Sequence, residues 1–131
     1  MNKNRIKYLL LLIILCVYIQ AIQAKGWKGK RLKFKETTFS FGTFQQSNVM
    51  KHEFKFRNVS KQQSMIVKVS ASCGCTVVDY STEPLESGEW GHVTVTYNGI
   101  SKEPGYFNKG INILANKEII RLEITGTMIE H

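Results

Sequence analysis

The ten residues Val49-Met50-Lys51-His52-Glu53-Phe54-Lys55-Phe56-Arg57-Asn58 decide the fold. Met50, His52, Phe54 and Phe56 occupy every second position, and Lys51, Glu53, Lys55 and Arg57 fill the positions between. A period of two held this long describes a strand with one face buried and the other in water, and it excludes an amphipathic helix. The same period recurs on both sides. Upstream, Thr38–Phe44 carries Phe39 and Phe41 on one face, with Gly42 as a bulge or kink. Downstream, Met65, Val67, Val69 and Ala71 share a face against Lys68, Ser70 and Ser72, and Val77–Tyr80 is a shorter extended segment. Trp90–Asn98 sets Val93, Val95 and Tyr97 against His92, Thr94 and Thr96. Phe107, Ile111 and Ile113 mark a further strand, and the last one, Ile119–Met128, directs Ile120, Leu122, Ile124 and Met128 inward.

Turn residues separate these runs: Gln45–Asn48, Asn58–Ser64, Ser81–Glu89 with Pro84 and Gly88, Asn98–Gly105 and Ala115–Glu118. About seven strands joined by connections short enough for hairpins predict an all-β domain, an immunoglobulin-like antiparallel β-sandwich over residues 36–131. Asn58-Val59-Ser60 also matches a glycosylation sequon, a motif short enough to arise often by chance.

Before the sandwich lies a different kind of sequence. Met1–Lys7 is a positive segment, Tyr8–Ile19 is uncharged and strongly apolar, and Gln20-Ala21-Ile22-Gln23-Ala24 is a polar, small-residue end. Residues 1–24 read as a secretory signal peptide forming an N-terminal signal helix, cleaved after Ala24, with an uncleaved signal anchor as the competing reading. The apolar run is shorter than the roughly 20 residues of a membrane span. Cys16 does not mark a lipoprotein, because bulky Leu15 stands where lipidation wants a small residue.

The formal charge of +8 is uneven. Lys3, Arg5 and Lys7 lie in the leader, and Lys25, Lys28, Lys30, Arg31, Lys33 and Lys35 crowd the stretch after it. From Thr37 onward nine Lys and Arg face nine Asp and Glu, so the domain itself is neutral and offers no nucleic-acid footprint. Residues 25–35 form a basic arm, a solvated lead-in to the first strand on one reading. On the other, Trp27, Lys28, Lys30 and Arg31 contact anionic headgroups or polysaccharide at the cell envelope, a possible peripheral membrane contact.

Chemistry concentrates at Ser72-Cys73-Gly74-Cys75-Thr76, which holds the two cysteines outside the leader. On a flat strand, residues two apart share a face but stand farther apart than the roughly 3.5–4.5 Å between Cβ atoms that a disulfide needs. A turn at Gly74 relieves this, and the resulting small ring is a candidate redox-labile bridge. Two thiolates at this spacing can also chelate copper or zinc, with His52 as a weak third ligand, but a closed zinc site wants four ligands. His92 falls on the opposite face, and Met50, Met65 and Met128 sit where core packing explains them. The third reading is a pair of buried core thiols. No Cys-His pair, phosphate-binding loop or zinc motif supports an enzyme.

Several landmarks fall into a familiar order: Phe39-Ser40-Phe41-Gly42, His52–Asn58, Ser72-Cys73-Gly74-Cys75-Thr76, Ser87-Gly88-Glu89, Gly105–Lys109 and Leu122-Glu123-Ile124-Thr125-Gly126. With them the chain resembles the bacterial family known as domain of unknown function 1573, over roughly residues 36–130. Ser87 departs from that pattern, which more often has proline there. The resemblance implies an exported immunoglobulin-like domain and supplies no activity. The expected role is a non-enzymatic interaction or assembly module in the periplasm or at the surface of a bacterium, binding another envelope or secreted protein. The rival is a thiol-based redox or copper-binding protein using Cys73 and Cys75.

Overall fold

The computed structural model describes residues 2–23 and 31–130. A helix, α1 (Lys3–Gln23), precedes eight strands: β1 (Leu32–Phe34), β2 (Thr38–Gln45), β3 (Val49–Asn58), β4 (Ile66–Ala71), β5 (Thr76–Tyr80), β6 (Trp90–Asn98), β7 (Gly105–Ala115) and β8 (Glu118–Ile129). They form two four-stranded sheets, ordered β1-β3-β6-β5 and β2-β8-β7-β4. Every pairing is antiparallel except β2 with β8, which run parallel. The domain is an all-β sandwich of immunoglobulin-like type.

Sheet membership alternates along the chain, so the expected hairpins are mostly corners. From β1 to β5 each strand lies in the sheet opposite its predecessor. Only β5–β6 and β7–β8 pair as sequence neighbours. The β7–β8 loop is a two-residue turn that puts Asn116 at φ 56°, a conformation asparagine tolerates better than most residues.

The alternating apolar residues meet between the sheets. Phe54, Phe56, Val93, Val95 and Tyr97 face Phe107, Ile111, Ile113, Leu122, Ile124 and Met128, all buried. Tyr97 and Phe107 stack across the interior with centroids 4.1 Å apart, and Phe44 sets its edge against both rings. Beneath Trp90 the interior comes so close that a Cβ on Gly91 would lie 2.5 Å from the Phe56 ring.

Two expectations need correction. The basic arm does not reach Lys35: Leu32-Lys33-Phe34 pairs with β3, with Leu32 opposite Asn58 and fully inside. Three residues are too short to show a period among lysines. In β4 the phase is reversed at the start, since Ile66 is buried while Met65 and Val67 are exposed. The register steps from Ile66–Ala115 to Lys68–Leu114, so one extra residue enters β4 there. This bulge flips the faces, and Val69 and Ala71 beyond it turn inward as the period requires.

Along α1 the side chains from Lys3 to Tyr18 are exposed, and no helix among the described residues is long and apolar enough to cross a membrane. The expected cleavage point after Ala24 lies outside the described residues, as do Trp27, Lys28 and Lys30.

At the end of the sandwich where β3 finishes and β6 begins, a buried amide organises the loops. Asn58 is fully buried, and its Nδ2 donates to the carbonyls of Gln62 and Leu85, each at 2.8 Å. Its Oδ1 accepts from the Ser60 amide at 3.0 Å and the Ser60 hydroxyl at 2.8 Å. Both amide hydrogens are spoken for, so the sequon at Asn58 is closed to glycosylation.

Candidate functional site

Ser72–Thr76 lies at the other end of the sandwich, and it is the place where the chain passes from one sheet to the other. Its backbone is fastened on both sides. Ser72 donates its amide to the Gly110 carbonyl of β7 at 3.0 Å, and its hydroxyl accepts the Gly110 amide at 3.2 Å. Across the gap, the Cys75 carbonyl accepts the Asn98 amide of β6 at 3.0 Å. Between these fastenings the Thr76 amide donates to the Cys73 carbonyl at 3.3 Å, closing a turn.

Within that turn Cys73 and Cys75 are joined by a disulfide, their Cα atoms 5.3 Å apart. The turn does not depend on a glycine conformation. Gly74 is outside the left-handed region, and a Cβ built on it meets nothing within 4 Å. The hydrogen-bonded turn and the passage between sheets draw the sulfurs together, not the freedom of Gly74. The bridge also stands between the two sheets, although its partners are nearly adjacent in sequence.

The two sulfurs differ in surroundings. Cys75 is 9% exposed and belongs to the core cluster, whereas Cys73 is half-buried at its margin. Buried Thr76 places its hydroxyl oxygen 3.7 Å from Cys73 Sγ and 3.9 Å from Cys75 Sγ. Tyr97 is the cross-strand partner of Thr76, and burial pushes its phenol above the usual range. A cleft of about 370 Å³ opens against the corner, lined by Gly74, Cys75, Asn98, Ile100, Ser101 and Lys102. Gln46 props the loop that forms its far wall by donating to the Gly99 and Ile100 carbonyls.

His52 does not join this corner. Its ring stacks on Phe39 at 3.5 Å, and its Nε2 meets a Glu36 carboxylate oxygen at 2.9 Å. His92 bonds instead to Ser81, Nδ1 to Oγ at 3.1 Å. Among the described residues no three of His, Cys, Asp or Glu gather as a metal site, and His131 lies outside them.

A second surface lies near the first end of the sandwich. Trp90 stands 52% exposed on the outer face of β6, with Lys35 Nζ 4.9 Å and the Arg57 guanidinium carbon 5.8 Å from its ring centre. Lys33, Arg57 and Trp90 are cross-strand neighbours on β1, β3 and β6. Beside them a shallow cleft of about 410 Å³ is lined by Lys35, Glu53, Lys55, Trp90, Gly91 and His92. Arg31, the one described member of the four arm residues singled out for envelope contact, leads directly into β1. The signal for Trp90 was in the sequence: a tryptophan in phase with the polar face of its strand, alongside His92, Thr94 and Thr96.

Comparison with known proteins agrees with this architecture. The profile of the family described as "Protein of unknown function (DUF1573)" matches residues 32–128, from the first residue of β1 to the end of the core in β8. No curated protein matches the chain. Among solved structures, a protein of unknown function from Porphyromonas gingivalis W83 superposes with a TM-score of 0.66 at 12% identity, over 73% of this chain and 46% of that one. This chain therefore spans less than half of that relative. The ASH/PapD-like domain of human CEP192 gives 0.61 at 12% identity, over 81% of this chain and 93% of that one. The periplasmic chaperone SfaE gives 0.58 at 9% identity, over 75% and 59%. At such identities the likeness is one of fold.

Proposed function

The chain belongs to the DUF1573 family, and from that premise we propose that it is an exported, non-enzymatic interaction module of the bacterial cell envelope. The leader and α1 are what support export, to the periplasm or the cell surface. The observation that carries the binding role is Trp90, half exposed on a β-sheet face with two cations over its ring. Exposed aromatic and arginine side chains set together are the composition of interface hot spots. With Lys33 and Lys55 adjoining, the face suits an acidic segment of another envelope or secreted protein. The basic stretch that precedes β1 in the sequence adds positive charge suited to the same partner or to anionic headgroups. No metal belongs to this proposal, since Cys73 and Cys75 are bonded to each other.

The test is a pull-down from envelope extract with the parent chain, Trp90→Ala and Arg57→Glu side by side. Both residues are exposed, and both variants are expected to melt within a few degrees of the parent, with Arg57→Glu the lower because its Nε donates to the Gly88 carbonyl at 2.7 Å. Capture of a defined protein is expected to fall about tenfold or more in each variant, as for a hot-spot residue. Capture indifferent to both changes, or binding only to phosphatidylglycerol vesicles, would remove the protein-docking role from this face.

A further inference from the structure

The Cys73–Cys75 corner does not contribute to that docking face and lies at the opposite end of the domain. We propose that its disulfide is an exchangeable one whose substrate is a cysteine thiol. Three observations carry this. First, the corner is already held by backbone hydrogen bonds to β7 and β6 and by its own turn, so opening the bond leaves the fold in place. Second, the two sulfurs are unequal, with Cys73 at the margin and Cys75 in the core. Third, a cleft lined by Gly74, Cys75 and Lys102 opens on the Cys75 side of the turn and gives an approaching chain a seat beside the bridge, from which its thiol meets Cys73 at the margin.

These assign the roles. An incoming thiolate attacks Cys73 Sγ, the more accessible sulfur. The new sulfur–sulfur bond forms as the Cys73–Cys75 bond breaks, and the electron pair leaves on Cys75 Sγ. The buried Thr76 hydroxyl, 3.7 Å from Cys73 Sγ and 3.9 Å from Cys75 Sγ, is within reach of either sulfur. With Cys73 capped by the substrate, it donates to the departing Cys75 thiolate, which then takes a proton from water. A second thiolate attacks the external sulfur of the mixed disulfide, releasing Cys73 and leaving the two substrate sulfurs joined. The substrate is thereby oxidised and the corner reduced by two electrons. Thr76 is a positioning residue here, since it acts on the leaving sulfur and not on the substrate.

The experiment uses the full chain carrying Cys16→Ser, because Cys16 is a free, exposed thiol. Reduced glutathione and a short cysteine-containing peptide are the two probes, followed by acid quench, intact mass and peptide mapping. Both are expected to open the bond, with the adduct on Cys73 at least ten times more often than on Cys75. Faster opening by the peptide assigns the cleft to a protein thiol, and equal rates assign it to small thiols. Thr76→Val is expected to slow opening about tenfold, with Thr76→Ser restoring the rate and both variants melting with the parent. An adduct shared evenly or favouring Cys75, a bond inert to both thiols, or an unchanged rate in Thr76→Val would each overturn the assignment.

Discussion

The sandwich fastens its two ends by different chemistry. At one end Asn58 holds the loops with four hydrogen bonds from a fully buried amide. At the other, roughly 25–30 Å away along β6 by strand rise, a disulfide sits inside a turn whose backbone is already satisfied. The amide cannot be released without leaving buried polar groups unpaired, so its hold is inseparable from folding. The disulfide can be opened by a reagent while every backbone hydrogen bond of the corner stays made. One end is a structural lock and the other is free for chemistry.

Asn58→Ala is the sharpest way to break that contrast. It removes four hydrogen bonds and leaves the buried Ser60 amide without its acceptor, while the Leu85 carbonyl keeps the Ser64 amide and the Gln62 carbonyl keeps the Ser60 hydroxyl. A loss of about 3–4 kcal/mol is expected from the four bonds together. For a domain of this size that lowers the melting temperature by about 15–20 °C, read by calorimetry or circular dichroism. A loss below about 1 kcal/mol would mean that water enters and replaces the amide, and the two ends would then be alike. The second test is Cys73→Ala with Cys75→Ala. Loop-closure entropy for so small a ring predicts a loss of only about 1–2 kcal/mol. Chemical denaturation of parent and variant measures it. A loss as large as that from Asn58→Ala would make the bridge a structural staple and remove the reason to regard it as exchangeable.

How much of this was legible in the sequence follows from the range of the forces involved. Alternation is local, so β3 and β6 were readable to the residue, and most of the buried faces with them. What failed needed information from elsewhere in the fold. Ile66 lies inside and Val67 outside because a bulge against β7 changes the phase, and no residue of β4 announces it. β1 becomes a strand only through its partner β3. Asn58 matched a sequon, and its role as a buried lock shows only once Leu85, 27 residues on, folds back over it. The cysteines were readable as a pair. That they stand where the chain changes sheets was not, since sheet membership is decided by which strands pair across the interior.

Gly74 is where sequence logic and structure differ most directly, and it supplies the smallest expected effect. A glycine between two bridged cysteines invites the inference that the bridge needs its freedom. The backbone there is one that any L-residue adopts, and the space above it is open to 4 Å. Gly74→Ala is therefore expected to keep the disulfide and to raise stability slightly, by about 0.5 kcal/mol, because alanine restricts the unfolded chain. Free-thiol counting checks the first outcome and denaturant unfolding the second. Retention of the bridge with unchanged or higher stability attributes the turn to the hydrogen bonds that fasten it to both sheets. Loss of the bridge, or destabilisation beyond about 1 kcal/mol, would return the corner to dependence on glycine. Its two fastenings would then be too weak to hold the turn once the sulfurs part, and the contrast between the two ends would fail at the end meant to survive opening.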